Sequence, residues 1–324
     1  MKRKVFVAIL CLTMGLAVSA CGSNNKNDKI KDLEDKITDL QNQTEGPVSD
    51  EEIFMQFING ETTVKVDADF EAALSYAGVI YDYESDSTTY TFDTTETISC
   101  EQLISAITEE SDFSTSDNLE VKTYYAITNT LSGKPILAVK FENLGIYTPD
   151  DESYALFFFA VNDRQLYMTY AYDSWARNWV DIYDNMIFTG HRSGGAGDGF
   201  SWCFYIYETG HYQSVYDMET LFEEWVAMYG TYELGMDDST SWSRGCIVNL
   251  LTTAEGSYYA YEVEDTVDVE RFNTFTSLLE EKGMSKIDSA ENTINAAYEA
   301  NGISFDSLSY FEDWKQYKLG SLEK

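Results

Sequence analysis

Apolar side chains recur at helical spacing near both ends of this chain and at alternate positions through its middle. Ser49-Asp50-Glu51-Glu52 sets a capping serine and an acidic first turn ahead of IFMQFING, and Gly60 supplies a stop, so a helix is predicted between them. A second helix is predicted from Asp67 to Tyr76, and residues 79–98 alternate β-forming and polar side chains as one or two strands. Ser99, with Gln102 three positions on, forms a capping box for the helix CEQLISAITEE.

From Leu119 to Asp217 the period is two. LEVKTYYAI and ILAVKFE flank the turn Leu131-Ser132-Gly133-Lys134-Pro135, and SYALFFFAV and LYMTYAY flank Asn162-Asp163-Arg164-Gln165, which predicts two hairpins. Shorter strands follow at WVDIY, MIFTG, FSWCFYIYE and HYQSVY, a spacing that suits a sandwich, a barrel or a twisted open sheet. Asp217 is then read as the cap of a helix METLFEEWVAMYG with Leu221, Phe222, Trp225, Val226 and Tyr229 on one face. RGCIVNLL and SYYAYEVE are two more strands. The end reads as helical, through DVERFNTFTSLLEEKG, DSAENTINAAYEANG and FDSLSYFEDWKQYK, with Gly283 and Gly302 as stops. The expected class is α+β: a central antiparallel β-sheet or sandwich with flanking helices and a helical C-terminal end.

The first residues carry an address. Lys2, Arg3 and Lys4 precede an apolar run from Val5 to Val18, the layout of a secretory signal and too short to span a bilayer core, which takes about 20 apolar residues. Val18-Ser19-Ala20-Cys21 resembles the lipobox of bacterial lipoproteins, and the resemblance implies that Cys21 takes a diacylglyceryl thioether and becomes the mature N-terminus. An ordinary signal peptide with an incidental Cys21 is the alternative. Residues 1–20 are thus expected to be a leader, 21–47 a lipidated polar stalk, and 48–324 an acidic extracytoplasmic domain, helical over 48–118, β-rich over 119–265 and helical over 266–324. In the stalk, Ile30, Leu33, Ile37 and Leu40 mark a short heptad seam, which serves as a spacer helix or a small self-associating coil.

Charge narrows the partners. The net charge is −35, with 56 acidic against 21 basic residues, and three of the basic ones lie in the leader. A surface this acidic repels nucleic acid and anionic head groups, so no nucleic-acid partner is expected. No cofactor is expected. Asp150-Asp151-Glu152 is the nearest approach to a calcium loop and lacks its spacing. Cys100, Cys203 and Cys246 remain after the leader and anchor; one bridge with a free thiol, or three buried thiols, are both open.

Candidate chemistry is densest between residues 136 and 216. Tyr172-Asp173-Ser174-Trp175-Ala176-Arg177 followed by His191-Arg192-Ser193-Gly194-Gly195-Ala196-Gly197-Asp198 resembles a Y-x-x-W-A-R element and a G-S-x-G-A-G loop in a group of uncharacterised lipobox-bearing surface lipoproteins of anaerobic Gram-positive bacteria. That resemblance implies the address and a shared architecture rather than a reaction. The glycines of HRSGGAGDGF allow positive φ and exposed N–H groups that suit an anion, helped by Arg177 and Arg192; a tight connection between strands is the other reading. In FSWCFYIYE, alternation sends Phe200, Trp202, Phe204 and Ile206 to one face and Ser201, Cys203, Tyr205 and Tyr207 to the other, and the second set is a candidate binding face. His191 and His211, with Asp198 or Glu208, lack any metal-site spacing. The candidate ligand-binding residues are therefore Trp175, Arg177, His191, Arg192, Asp198, Tyr205 and Tyr207. The expected role is a membrane-tethered binding or interaction module with a glycan or protein partner at the cell surface. An envelope glycan hydrolase using paired carboxylates, or a structural accessory lipoprotein, is the alternative.

Overall fold

The computed structural model describes residues 48–66, 81–82, 87–88, 97–109, 121–143, 154–174, 178–193, 198–237, 241–264 and 267–317. The predicted leader, Cys21, the stalk, the helix from Asp67 to Tyr76, Asp150-Asp151-Glu152, Trp175, Arg177, Gly194, Gly195 and Gly197 lie outside the described residues. The chain divides into Met1–Ser49 and Asp50–Lys324, and every element below belongs to the second unit.

Helix α1 (Asp50–Ile58) begins on its acidic turn, buries Ile53, Phe54, Phe57 and Ile58, and stops at Gly60, where φ is 70°. Short strands β1 (Val64–Val66), β2 (Tyr81–Asp82), β3 (Ser87–Thr88) and β4 (Thr97–Ile98) lead to α2 (Cys100–Glu109). The capping box closes as predicted: the Ser99 N–H donates to Gln102 Oε1 at 2.8 Å, and the Gln102 N–H donates to Ser99 Oγ at 3.1 Å. The two predicted hairpins form as β5 (Lys122–Asn129) with β6 (Pro135–Glu142), and β7 (Tyr154–Asn162) with β8 (Gln165–Ser174). Asp163 and Arg164 turn the second with φ of 49° and 65°, the left-handed pair whose twist matches a hairpin. Strands β9 (Asn178–Tyr183), β10 (Ile187–Ser193), β11 (Asp198–Ile206) and β12 (Tyr212–Phe222) follow as a meander, then α3 (Glu223–Tyr232), β13 (Cys246–Thr253) and β14 (Gly256–Val263). The chain finishes with α4 (Val269–Glu281), β15 (Ser285–Lys286), α5 (Ala290–Ala300) and β16 (Lys315–Gln316).

Two expectations are corrected. Met218 to Phe222 belong to β12, not to a helix capped by Asp217, because Met218 to Leu221 pair in register with β11 on one side and β13 on the other, and Phe222 pairs with Ile247 of β13. A helix would forgo both ladders, and the Asp217 carboxylate accepts instead from Ser214 Oγ at 2.7 Å. FDSLSYFEDWKQYK is not a helix either. After a 3₁₀ turn at Phe305–Ser307 it runs extended: the Phe311 N–H donates to the Ile182 carbonyl at 2.9 Å, the Asp184 N–H donates to the Ser309 carbonyl at 2.9 Å, and β16 pairs with β5. The free backbone edges of β9 and β5 take this segment, which outweighs its helical periodicity.

The result is an α+β sandwich of two seven-stranded sheets. Sheet 1 has the order β16-β5-β6-β7-β8-β1-β4 and sheet 2 the order β15-β14-β13-β12-β11-β10-β9. Both are antiparallel except for one parallel pair each, β1 with β8 and β14 with β15. One face of sheet 1 packs on α1 and α2 through Leu137, Val139, Phe141, Phe157 and Phe159. Its other face meets sheet 2, where Ile136, Ala138, Leu156 and Phe158 lie against Phe188, Phe204 and Ile206. The run YALFFFAV is therefore covered on both sides, which explains its unbroken apolarity. In β8 a bulge leaves Thr169 as the extra residue, so Leu166 and Met168 face the helices while Tyr170 and Tyr172 face sheet 2. Along sheet 2 the same inner face passes from sheet 1 to α3 and α4, which cover Leu221, Val248, Leu250 and Tyr259. Helix α5 covers part of the outer face, over Cys203, Tyr205, Tyr216 and Leu251.

Candidate functional site

The predicted working region maps onto β9, β10 and β11, the far edge of sheet 2. Register decides which side chains share a face. His191 lies opposite Trp179 and Ser201, whereas Arg192 lies opposite Asn178 and Phe200. His191 therefore joins the outer face with Trp179, Ser201, Cys203 and Tyr205, and Asp198 joins the inner face with Phe200, Trp202 and Phe204. His191 and Asp198 do not converge. Among the described residues no group of three or more His, Cys, Asp or Glu is placed to hold a metal ion.

Tyr205 is not available to a ligand. It packs under α5, and its hydroxyl donates to Asn301 Oδ1 at 3.3 Å. Tyr207, one residue past the end of β11, is exposed, and its N–H donates to the His211 carbonyl across the turn. Arg192 is exposed, with its guanidinium 5.7 Å from the Phe200 ring centre. Cys100, Cys203 and Cys246 are three unpaired, buried thiols. Burial pushes the first two up to about 12 and Cys246 up to about 11, so none is a thiolate at neutral pH.

On the inner face, Asp198 is 8% exposed, and its Oδ1 is sealed from solvent without a hydrogen-bond partner among the described residues. Glu219, diagonal to it across the β11–β12 ladder, has its carboxyl pKa raised by burial first, then by Asp198 and Glu233. Tyr229 on α3 has its hydroxyl raised by burial and by the same Glu219 and Glu233. This acidic seam lies where the cover of sheet 2 changes from sheet 1 to α3.

The outer face near β9 is different in kind. Trp179, Asp181 and Tyr183 point the same way from alternate positions, spaced so that first and last are about 13 Å apart at the usual strand rise. Trp179 is 53% exposed and rests against the His191 ring, centre to centre 5.0 Å and tilted by 32°. Tyr310, 61% exposed, stacks on Tyr183 at 5.0 Å and 17°. The Asp181 carboxylate lies close enough to be the largest cause raising the Tyr310 hydroxyl pKa, ahead of Tyr183. Gly190 in β10 lets the Trp202 indole fill the inner side of the same strands, since a Cβ there would lie 2.5 Å from a ring carbon. The shelf is thus aromatic, acidic, aromatic along one edge, on a rigid backing.

Sequence pattern placed His191 in this region but missed Trp179, Asp181, Tyr183 and Tyr310 as a set. The period-two alternation of WVDIY carried the signal for the first three. Tyr310 comes from a segment read as helix, so nothing local pointed to it. Compared with known protein families, curated proteins and solved structures, the chain matches none.

Proposed function

We propose that this protein is a lipoprotein anchored through Cys21 at the extracytoplasmic face of a bacterial membrane, and that its domain binds a cell-surface glycan along the outer face of β9 and β10. The observation that carries the binding reading is Trp179, a large indole left half in solvent, on the same face of β9 as Asp181 and as Tyr183, on which the exposed Tyr310 ring stacks. Exposed aromatics cost the fold apolar hydration, so two of them at one edge of a sheet, with a carboxylate on the same face, support an outside partner. Sugar rings present C–H faces that lie flat on indole and phenol rings, and hydroxyls that donate to a carboxylate. The spacing of about 13 Å from Trp179 to Tyr183 accommodates more than one sugar unit. The cationic leader, the lipobox-like VSAC and the acidity of the chain support the address.

The test is retention of the purified domain on insoluble cell-wall glycan. Trp179→Ala and Tyr310→Ala should each weaken retention by about tenfold, as loss of a central aromatic contact does. Their melting temperatures should stay close to that of the parent, because both rings are exposed. Full retention by both folded variants would sink the reading.

A further inference from the structure

The outer face of β9 and β10 changes character along its length. One end is carbon: the Trp179 indole, half in solvent, lies tilted on the His191 ring at 5.0 Å. The other end is oxygen. Asp181 sits directly opposite Thr189 in the β9–β10 ladder, Thr189 Oγ1 donates to the Tyr183 hydroxyl at 3.5 Å, and the Tyr310 ring stacked on Tyr183 brings a further hydroxyl. Asp181 is exposed, and its carboxylate is the largest cause raising the Tyr310 hydroxyl, which therefore keeps its proton at neutral pH and leaves the charge of this end on Asp181. Among the described residues, β9 and β10 put no lysine or arginine on this face, since Arg192 belongs to the inner one. Two residues of strand rise separate Trp179 from Asp181, about 7 Å, the reach of one sugar ring and its substituent.

Resting on the glycan reading above, we infer that this shelf selects amino sugars whose nitrogen is free rather than acetylated. The C–H face of the ring lies on Trp179 and its ammonium group reaches Asp181. That contact is a charge-assisted hydrogen bond, roughly twice as strong as one between neutral groups. A neutral hydroxyl does no more for Asp181 than the water it displaces, so a plain hexose gains little there. An N-acetylated sugar offers one uncharged N–H in place of the ammonium. A uronic acid or a phosphate-bearing polymer sets like charge against Asp181 and against a chain of net charge −35.

Titration calorimetry at physiological salt and mildly acidic pH, where the amines carry their protons, compares the glucosamine trisaccharide with its fully N-acetylated counterpart. The free-amine form should bind about fivefold more tightly, the upper range for one solvent-exposed ion pair. Asp181→Asn should bring the two to equal affinity by weakening the free-amine form alone. It removes a single charge from a large acidic excess, so a general attraction of the chain for cations would survive it. Glu255→Gln, at an exposed position in the turn between β13 and β14, should keep the fivefold preference. Both substitutions fall on exposed side chains, and melting curves confirm that the fold is retained. Equal or tighter binding of the N-acetylated form, or a preference that persists in Asp181→Asn, overturns the assignment and leaves the glycan reading standing. Failure of both trisaccharides to bind overturns it as well, and retention on wall glycan then decides whether the shelf takes glycan at all.

Discussion

At the scale of single residues, Glu219 shows how burial and charge act together. Its folded pKa is raised by burial and by Asp198 and Glu233, whereas in the unfolded chain it titrates as an ordinary glutamate. Over the pH range between those two values the folded protein holds a proton that the unfolded chain has released. Stability from this group is therefore complete below the ordinary carboxyl pKa and is lost as pH rises through the raised folded value. Glu219→Gln keeps the shape and removes the charge. The variant should melt higher than the parent at pH 7, and the gap should close as pH falls below the ordinary carboxyl range. Melting curves across pH decide it; a constant gap, or a less stable variant at pH 7, would show that Glu219 is paired rather than repelled.

At the scale of elements, short-range rules succeeded where an element's own residues satisfy its ends. Ser99 and Gln102 close their box because the donors and acceptors lie within one turn. Asp268 caps α4 by accepting from the N–H groups of Glu270 and Arg271, and Gly283 and Gly302 end α4 and α5 at φ of 90° and 70°. Ser99→Ala should cost about 1 kcal/mol by denaturant unfolding, the usual loss for a helix N-cap, whereas Ser277→Ala on an exposed face of α4 should cost far less. An equal cost for both would mean that the box is not used. The same rules failed where the decision was made across the sheet. Met218 to Phe222 carry helical periodicity, yet their partners on β11 and β13 lie far along the chain and no local signal reveals them. The candidate site was legible in the same measure. Period-two alternation set strands on either side of HRSGGAGDGF and left His191 and Asp198 in the connection; the structure extends β10 through His191 and starts β11 at Asp198, only the register shows that the two occupy opposite faces, and only the return of the C-terminal segment brings Tyr310 to Tyr183.

At the scale of the whole domain, the two sheets are joined by rings rather than by charge. Phe188 stacks on Phe204 at 4.6 Å and 13°, Phe158 meets Phe188 edge-on at 5.7 Å, and Tyr170 packs against both Phe158 and Phe204. Phe158 and Tyr170 come from sheet 1, Phe188 and Phe204 from sheet 2, so neither sheet can bury its inner face without the other. The C-terminal segment adds a second link, running from the edge of β9 to the edge of β5 and laying Phe311 and Trp314 on the same cluster. The sandwich should then unfold as one cooperative unit. Phe188→Ala leaves a cavity at the centre of the cluster and should cost about 3–5 kcal/mol, the range for a buried phenylalanine. Because the loss falls on a contact shared by both layers, amide exchange through global opening should speed up by the same factor in β6 of sheet 1 and in β13 of sheet 2. Faster exchange in β13 with β6 unchanged would mean that the sheets open separately, and that the ring cluster seals a face without coupling the layers.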